Sequence, residues 1–292
     1  MLNFFLYRLG QFIALNTPLK IGYALAVFVA DCQYFFAFRD RNTVKKNLLA
    51  MFPQKSGKEI NTISRKMFEN FGKYLVDFFK FSKLDQEYIK KNIKIENIHY
   101  FNEALARGKG VIVLTAHLGN WELGGVVVAL LGYPFWVVAL PHKNKKVDEF
   151  FNNQRQSKGI HVIPFGKAAR QCLSLLKENK MIALVGDRDF SEKGLVLDFF
   201  GRKTHFPLGP AAFAIKTGAV IVPGFMFRNP DDSFTLRIEQ PIEFNLQTAN
   251  PGVEELNDKN MQSVIEQYIK IFEKYIKDYP DQWYMFRRFW IE

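Results

Sequence analysis

Gly108-Lys-Gly-Val111-Ile-Val-Leu-Thr-Ala-His117-Leu-Gly-Asn120-Trp-Glu122-Leu123 is the stretch that decides the fold. An apolar run over residues 111–116 is too short for a helix. It gives way to a glycine-bearing turn and then to a helical pattern over 122–131, which is how a strand enters a βα unit. Comparable runs recur at 135–140, 160–165, 181–185 and 219–225. Between them, residues 122–131, 145–158, 168–178 and 210–217 read as crossover helices, several ending in Gly or Asn. Near-continuous apolar strands are buried on both faces. The pattern predicts an α/β fold with a mostly parallel central sheet flanked by helices.

Outward from this centre, residues 56–81 carry apolar positions at helical spacing and predict one long amphipathic helix. Residues 234–244 alternate around Pro241, as an edge strand or hairpin arm would. A last helix is expected near 253–277, ahead of an aromatic tail. No repeat, low-complexity tract or linker stands out.

The N-terminal third reads differently. Residues 21–38 are almost uninterrupted apolar sequence apart from Asp31 and Gln33, followed by Arg39, Arg41, Lys45 and Lys46. About 20 apolar residues cross a bilayer, an acid at the centre is costly there, and the basic cluster would keep that end cytoplasmic. A true anchor and an interfacial helix pair broken at Pro18 both fit. A division follows into an apolar helical membrane-associating region, 1–55, and an α/β domain, 56–292. No small-residue cleavage site closes the segment, so no removable signal peptide is expected.

With 40 Lys and Arg against 29 Asp and Glu, the net charge of +11 favours anionic partners. The 30 phenylalanines, dense near both ends, direct that charge to a membrane surface rather than to nucleic acid. Cys32 and Cys172 lie apart in apolar segments, so neither a disulfide nor a metal cluster is indicated, and both read as buried packing residues.

Chemistry in open α/β sheets gathers beyond the carboxyl ends of the strands. His117 leaves the first apolar run there, and Glu122 would lie in the first turn of a helix starting near Asn120. The two side chains can then meet, the carboxylate orienting the imidazole as general base. Free N–H groups at that helix start and a nearby basic side chain could stabilise an oxyanion. Spacing alone is weak: five histidines and 29 acids yield roughly half a His-x4-acid match by chance. A capping His beside a Glu that favours the helix dipole is the plain alternative.

The segment 108–123 resembles the signature of the lipid A biosynthesis acyltransferases, the lauroyl/myristoyl group within the lysophospholipid acyltransferase superfamily. Asn152-Asn-Gln-Arg155-Gln-Ser-Lys-Gly159 resembles the family's Arg-x3-Gly block, and Asp187-Arg-Asp189 stands at its Asp-Gln. Asp198-Phe-Phe-Gly201, Gly218-Ala-Val-Ile-Val-Pro223 and Tyr279-Pro-Asp-Gln-Trp283-Tyr-Met-Phe-Arg-Arg-Phe-Trp290 match its later blocks. The resemblance implies direct transfer of an acyl chain from acyl carrier protein, or from coenzyme A, to a hydroxyl of a lipid A precursor. It implies no covalent acyl-enzyme, no cofactor and no metal, at the cytoplasmic face of the inner membrane. Catalysis would rest on His117 and Glu122. Arg155 would bind a phosphate or acidic headgroup, with Asn120, Arg170, Asp187 and Asp189 as further substrate contacts; each also has a plain reading as a surface charge, a cap or a turn residue. Phe199, Phe200 and Phe206 could line an acyl channel or simply pack. Arg188 in place of Gln, and Phe286 where His often precedes the paired arginines, leave the acceptor open: another glycolipid, a phospholipid, or water in a thioester hydrolase. A non-catalytic basic membrane-binding or nucleic-acid-binding protein is the remaining alternative.

Overall fold

The structure is a computed structural model and describes residues 2–190, 193–244 and 257–291. Four helices come first: α1 (Leu2–Asn16), α2 (Leu19–Phe36), α3 (Phe38–Met51) and α4 (Gly57–Phe79). The expected amphipathic helix is α4, started by a reciprocal cap in which Glu59 N donates to Ser56 Oγ and Ser56 N to Glu59 Oε2. There follow α5 (Gln86–Asn92), β1 (Ile93–Glu96), α6 (His99–Ala106), β2 (Val111–Thr115), α7 (Trp121–Leu130), β3 (Phe135–Ala139), α8 (Lys145–Gln156), β4 (His161–Pro164), α9 (Ala168–Lys177) and β5 (Met181–Val185). A hairpin, β6 (Leu195–Phe199) and β7 (Arg202–Phe206), precedes α10 (Gly209–Thr217), β8 (Val220–Arg228), β9 (Phe234–Ile238) and α11 (Asp258–Asp278). The expected start of the last helix near residue 253 lies outside the described residues.

Seven strands form one sheet in the order β1-β9-β8-β2-β5-β3-β4, parallel except for the β8–β9 pair. The fold is therefore α/β with a mostly parallel central sheet. On β2, Ile112 and Leu114 pack into a layer with α9, α10 and α11, while Val111 and Val113 pack into the opposite layer with α6, α7 and α8. Strands buried on both faces explain the continuous apolar runs.

Two expectations are corrected. The segment after residue 234 is a hairpin arm but not an edge: β9 is enclosed by β8 and β1, and the edges are β1 and β4. β1 escapes a sequence reading because Ile93-Lys-Ile-Glu96 is short and half polar. The Phe-Phe-Gly block is the hairpin turn: Phe200 and Gly201 both have positive φ (51° and 72°), the backbone of a two-residue type I′ connection. Phe199 and Phe206 are fully buried against Trp283, Phe289 and Tyr268, so they pack the core and do not line a channel.

The N-terminal helices lean on the domain. α2 lies close along α4, where a Cβ on Gly72 would meet the Ala26 carbonyl oxygen at 2.9 Å. Asp31 forms a two-pronged pair with Arg65 of α4, both contacts at 2.7 Å, which accounts for an acid inside an apolar helix. By length and composition α2 could cross a membrane. Its outward face and that of α1 expose Phe5, Phe12, Phe28 and Val29, each more than 60% accessible. α3 buries Val44, Leu48 and Met51, and Asn47 donates to the Met285 and Arg287 carbonyls.

Candidate functional site

β2 and β5 are adjacent and parallel, with Thr115 opposite Val185. The chain leaves β2 through α7 on one face of the sheet and leaves β5 toward α10 on the other, so the crevice between these two ends is a topological switch point. His117 and Asp187 each lie two residues past those paired positions and meet across the crevice. His117 Nδ1 donates to Asp187 Oδ1 at 2.7 Å, and the His117 backbone N–H donates to Oδ2 at 3.1 Å. Trp283 Nε1 gives Oδ2 a further hydrogen bond at 2.9 Å.

The carboxylate fixes the tautomer: with Nδ1 carrying the proton toward Asp187, Nε2 keeps its lone pair. Burial pushes the His117 pKa below 6.5, with the Arg188 charge adding to that and the Asp187 and Glu122 carboxylates opposing it, so the ring is neutral at pH 7. Burial alone would raise Asp187, but His117, Arg188 and the Trp283 donor outweigh it and bring the carboxyl down to about 2. The pair is thus an ionised acid holding a neutral imidazole, the arrangement a general base needs.

Glu122 has a different partner from the one its spacing suggests. It lies in the first turn of α7 and is gripped by Arg155 of α8, Nε to Oε2 at 2.9 Å and Nη2 to Oε1 at 2.5 Å, while Arg155 Nη1 donates to Asn152. The expectation that Glu122 carries the imidazole is corrected to Asp187, because the end of a neighbouring strand places its carboxylate in line with Nδ1 and the planar guanidinium of Arg155 matches Glu122 in a fork. The same fork occupies much of the guanidinium that was expected to take a headgroup.

The loop between His117 and α7 is held from behind. Gly119 has φ +63°, and a Cβ there would lie 2.0 Å from the Met226 carbonyl oxygen, so only glycine fits. Its N–H donates to the Gln282 carbonyl, Tyr284 N–H donates to the His117 carbonyl, and Asn120 N–H donates to Met226. Asn120 is 2% exposed, its Oδ1 capping α7 at Leu123 N and its Nδ2 donating to Asp77. It builds the turn instead of facing substrate. Asp77 is buried between Tyr23 of α2 and Arg228 at the end of β8.

His117, Glu122, Arg155, Arg188 and Asp189 line one cavity of about 710 Å³, otherwise walled mainly by apolar side chains, the size and character of a small-molecule or lipid site. Asp189 also accepts from the Gly194 N–H, just ahead of β6. Arg188 donates through Nη2 to the Tyr284 carbonyl, and its Nε is buried with no hydrogen-bond partner among the described residues. Arg170 is exposed on α9 and outside the cavity lining, which removes it from the site. Cys172 is buried and Cys32 half-buried. Asp77 and Arg228 were not singled out from the sequence and carry no local signal; Trp283 was noted only as part of the terminal block, with nothing local to place it behind Asp187.

The sequence profile described as "Bacterial lipid A biosynthesis acyltransferase" matches residues 1–292, the whole chain. The chain belongs to this acyltransferase family. It is 25% identical over 272 residues to a phosphatidylinositol mannoside acyltransferase of Mycolicibacterium smegmatis, covering 92% of this chain and 85% of that protein. A phosphatidylinositol mannoside acyltransferase of Mycobacterium tuberculosis is 26% identical over 202 residues, 67% of this chain and 64% of the relative. The lipid A biosynthesis palmitoleoyltransferase of Escherichia coli is 24% identical over 246 residues, 82% of this chain and 80% of its own length. The protein is accordingly an acyltransferase of this family, and the relatives' names carry more than one glycolipid acceptor.

Proposed function

We propose that this acyltransferase moves a fatty acyl chain from a carrier thioester to a sugar hydroxyl of a membrane glycolipid, with His117 as general base and Asp187 as its orienting acid. The observation that carries the reading is the His117–Asp187 pair, the acid fully buried and the imidazole half-buried with Nε2 as the lone-pair nitrogen, on the wall of an apolar cavity. The acceptor oxygen attacks the thioester carbonyl while His117 Nε2 takes its proton. The carbon–sulfur bond then breaks and the leaving thiolate recovers that proton, giving ester and free thiol. No covalent acyl-enzyme is required, since neither cysteine is placed beside His117.

The acceptor we put first is a lipid A precursor, and a phosphatidylinositol mannoside-type lipid is its rival, since relatives bearing both names match over most of this chain. The donor we put first is acyl carrier protein, whose acidic surface would suit a net charge of +11; coenzyme A is the alternative. The exposed aromatic faces of α1 and α2, next to Arg39, Arg41, Lys45 and Lys46, support seating at the cytoplasmic face of the inner membrane.

Purified protein incubated in lipid vesicles with either thioester and each acceptor in turn, followed by mass analysis, tests the reading. Expected is one acceptor that gains one acyl group in place of a hydroxyl hydrogen, with release of the free thiol. Free fatty acid with no acylated lipid would make the protein a thioester hydrolase instead.

A further inference from the structure

Two arginines line the cavity with His117, and their surroundings differ. Arg155 is engaged by the Glu122 fork and by Asn152. Arg188 makes no ion pair among the described residues: the Asp187 carboxylate is turned to His117 and Trp283, and Asp189 accepts from the Gly194 N–H. Arg188 Nη2 donates to the Tyr284 carbonyl, Nε is buried without a partner, and Nη1 makes no hydrogen bond among the described residues. Burial lowers the Arg188 pKa, with Asp187 opposing and Arg287 adding to the effect, yet a guanidinium keeps its charge at neutral pH.

Such a group is unfavourable as packing. A buried N–H without an acceptor costs about 1–3 kcal/mol, and an unpaired charge held away from water costs more. Native folds keep few of them, and each calls for a reason. Position supplies one here. Tyr284 N–H donates to the His117 carbonyl at 2.9 Å while the Tyr284 carbonyl takes Arg188 Nη2, so one residue of the C-terminal tail ties the cation to the backbone of the base. Arg188 also follows Asp187 directly in the chain, and its charge acts on both members of the pair, pulling the His117 and Asp187 pKa values down. Its uncommitted donors therefore stand beside the place where imidazole, acceptor and thioester meet.

We propose that Arg188 is a catalytic residue that stabilises the oxyanion formed during acyl transfer. The inference rests on the reading of His117 as general base and adds the group that meets the negative charge. As the acceptor oxygen bonds to the thioester carbon, the carbonyl π pair moves onto oxygen and the hydroxyl proton passes to His117 Nε2. Arg188 N–H groups donate to that oxygen. When the carbonyl re-forms, the carbon–sulfur bond breaks and the leaving thiolate takes the proton from His117. A fixed cation in an apolar cavity favours a developing anion far more than it would in water. The contact exists only while the oxyanion does, so it acts on kcat and not on affinity. A phosphate ester of either substrate is the competing ligand for a lone guanidinium, and it would be held in the ground state and act on KM.

The test is steady-state acyl transfer by wild type, Arg188→Met, Arg188→Gln and Arg188→Lys, with the KM of each substrate, the pH profile and the melting temperature. Arg188→Met removes charge and donors together. Its kcat is expected to fall about 10²–10³-fold, the loss seen for one oxyanion donor, with each KM within about threefold of wild type. Arg188→Gln keeps an N–H donor without the charge and Arg188→Lys keeps the charge without the fork, so both should lie between. Arg188 adds to burial in lowering the His117 pKa, against Asp187 and Glu122, so the low-pH limb of kcat/KM should move up in Arg188→Met. The melting temperature should stay near that of wild type, since a buried cation without an ion pair contributes little to stability. An arginine that only packs would give the reverse, a lower melting temperature with kcat and the limb unchanged. A wild-type kcat with a raised KM for one substrate assigns the guanidinium to a ground-state phosphate and overturns the proposal, as does a loss of activity matched by unfolding in all three variants. Wild type that transfers an acyl group and needs His117, beside Arg188 variants that keep its kcat, defeats this inference alone; wild type that transfers none from any donor ends both readings.

Discussion

Replacing Asp187 by asparagine keeps the shape of the side chain and removes its charge. In the native site the carboxylate accepts three hydrogen bonds, from His117 Nδ1, the His117 backbone and Trp283 Nε1. An amide offers one oxygen and one NH2 group, so at least one of those donors faces another donor. If the NH2 group faces the imidazole, the ring proton moves to Nε2 and the base is lost. The expected cost is between about 10² and 10⁴ in kcat, the range for a disabled or misoriented general base. Stability also falls. Burial opposes the Asp187 charge, but His117, Arg188 and the Trp283 donor outweigh it and hold the carboxyl below its usual range, so the ionised form contributes stability to the fold. Because the folded pKa is the lower one, that stabilisation is present above about pH 4 and disappears as pH falls toward 2. The comparison variant is Glu122→Gln, which loosens the Arg155 fork. It should lower the melting temperature and keep substantial activity, with the low-pH limb moved slightly further down because the Glu122 charge no longer holds the His117 pKa up. The assay is single-turnover acyl transfer with circular dichroism confirming the fold. Asp187→Asn with near wild-type turnover, beside a Glu122→Gln enzyme as dead as His117→Ala at unchanged melting temperature, would falsify the pairing assigned here.

Other expectations follow from particular contacts. Since burial holds the His117 pKa below 6.5, kcat/KM should be flat above that pH and fall tenfold per unit once pH drops beneath the lowered pKa; a limb centred above 6.5 would contradict the neutral imidazole. Gly119→Ala forces a Cβ against the Met226 carbonyl at a left-handed φ. It should cost more than about 2 kcal/mol in denaturant unfolding, combining backbone strain with a displaced β8. Arg228→Met leaves Asp77 charged and buried, so a loss of about 3–5 kcal/mol is expected by the same measurement, and Asp77→Asn in that background should recover part of it. Phe12→Ser with Phe28→Ser removes two exposed rings from the N-terminal face. Each ring buried in lipid is worth about 1.5–3 kcal/mol, so sedimentation with anionic vesicles should weaken by tenfold or more, whereas a change below twofold would place that face away from the bilayer.

The sequence alone determined the βα rhythm of residues 111–225, the long capped helix α4, the break at Pro18 and the position of His117 at a strand exit. Each of these is written in local periodicity, in cap chemistry or in a Pro or Gly that limits the backbone, and such signals act over a few residues. It did not determine which acid meets His117. Glu122 is five residues away and Asp187 is seventy, yet β2 and β5 are neighbours in register, so the distant carboxylate reaches Nδ1 while the near one turns to Arg155. The same reason places Trp283 behind Asp187, encloses β9 between β8 and β1, and supplies Asp31 with Arg65. Strand order and helix docking are properties of the packed core as a whole. Contacts between segments far apart along the chain exist only once that core has formed, and no local pattern encodes them.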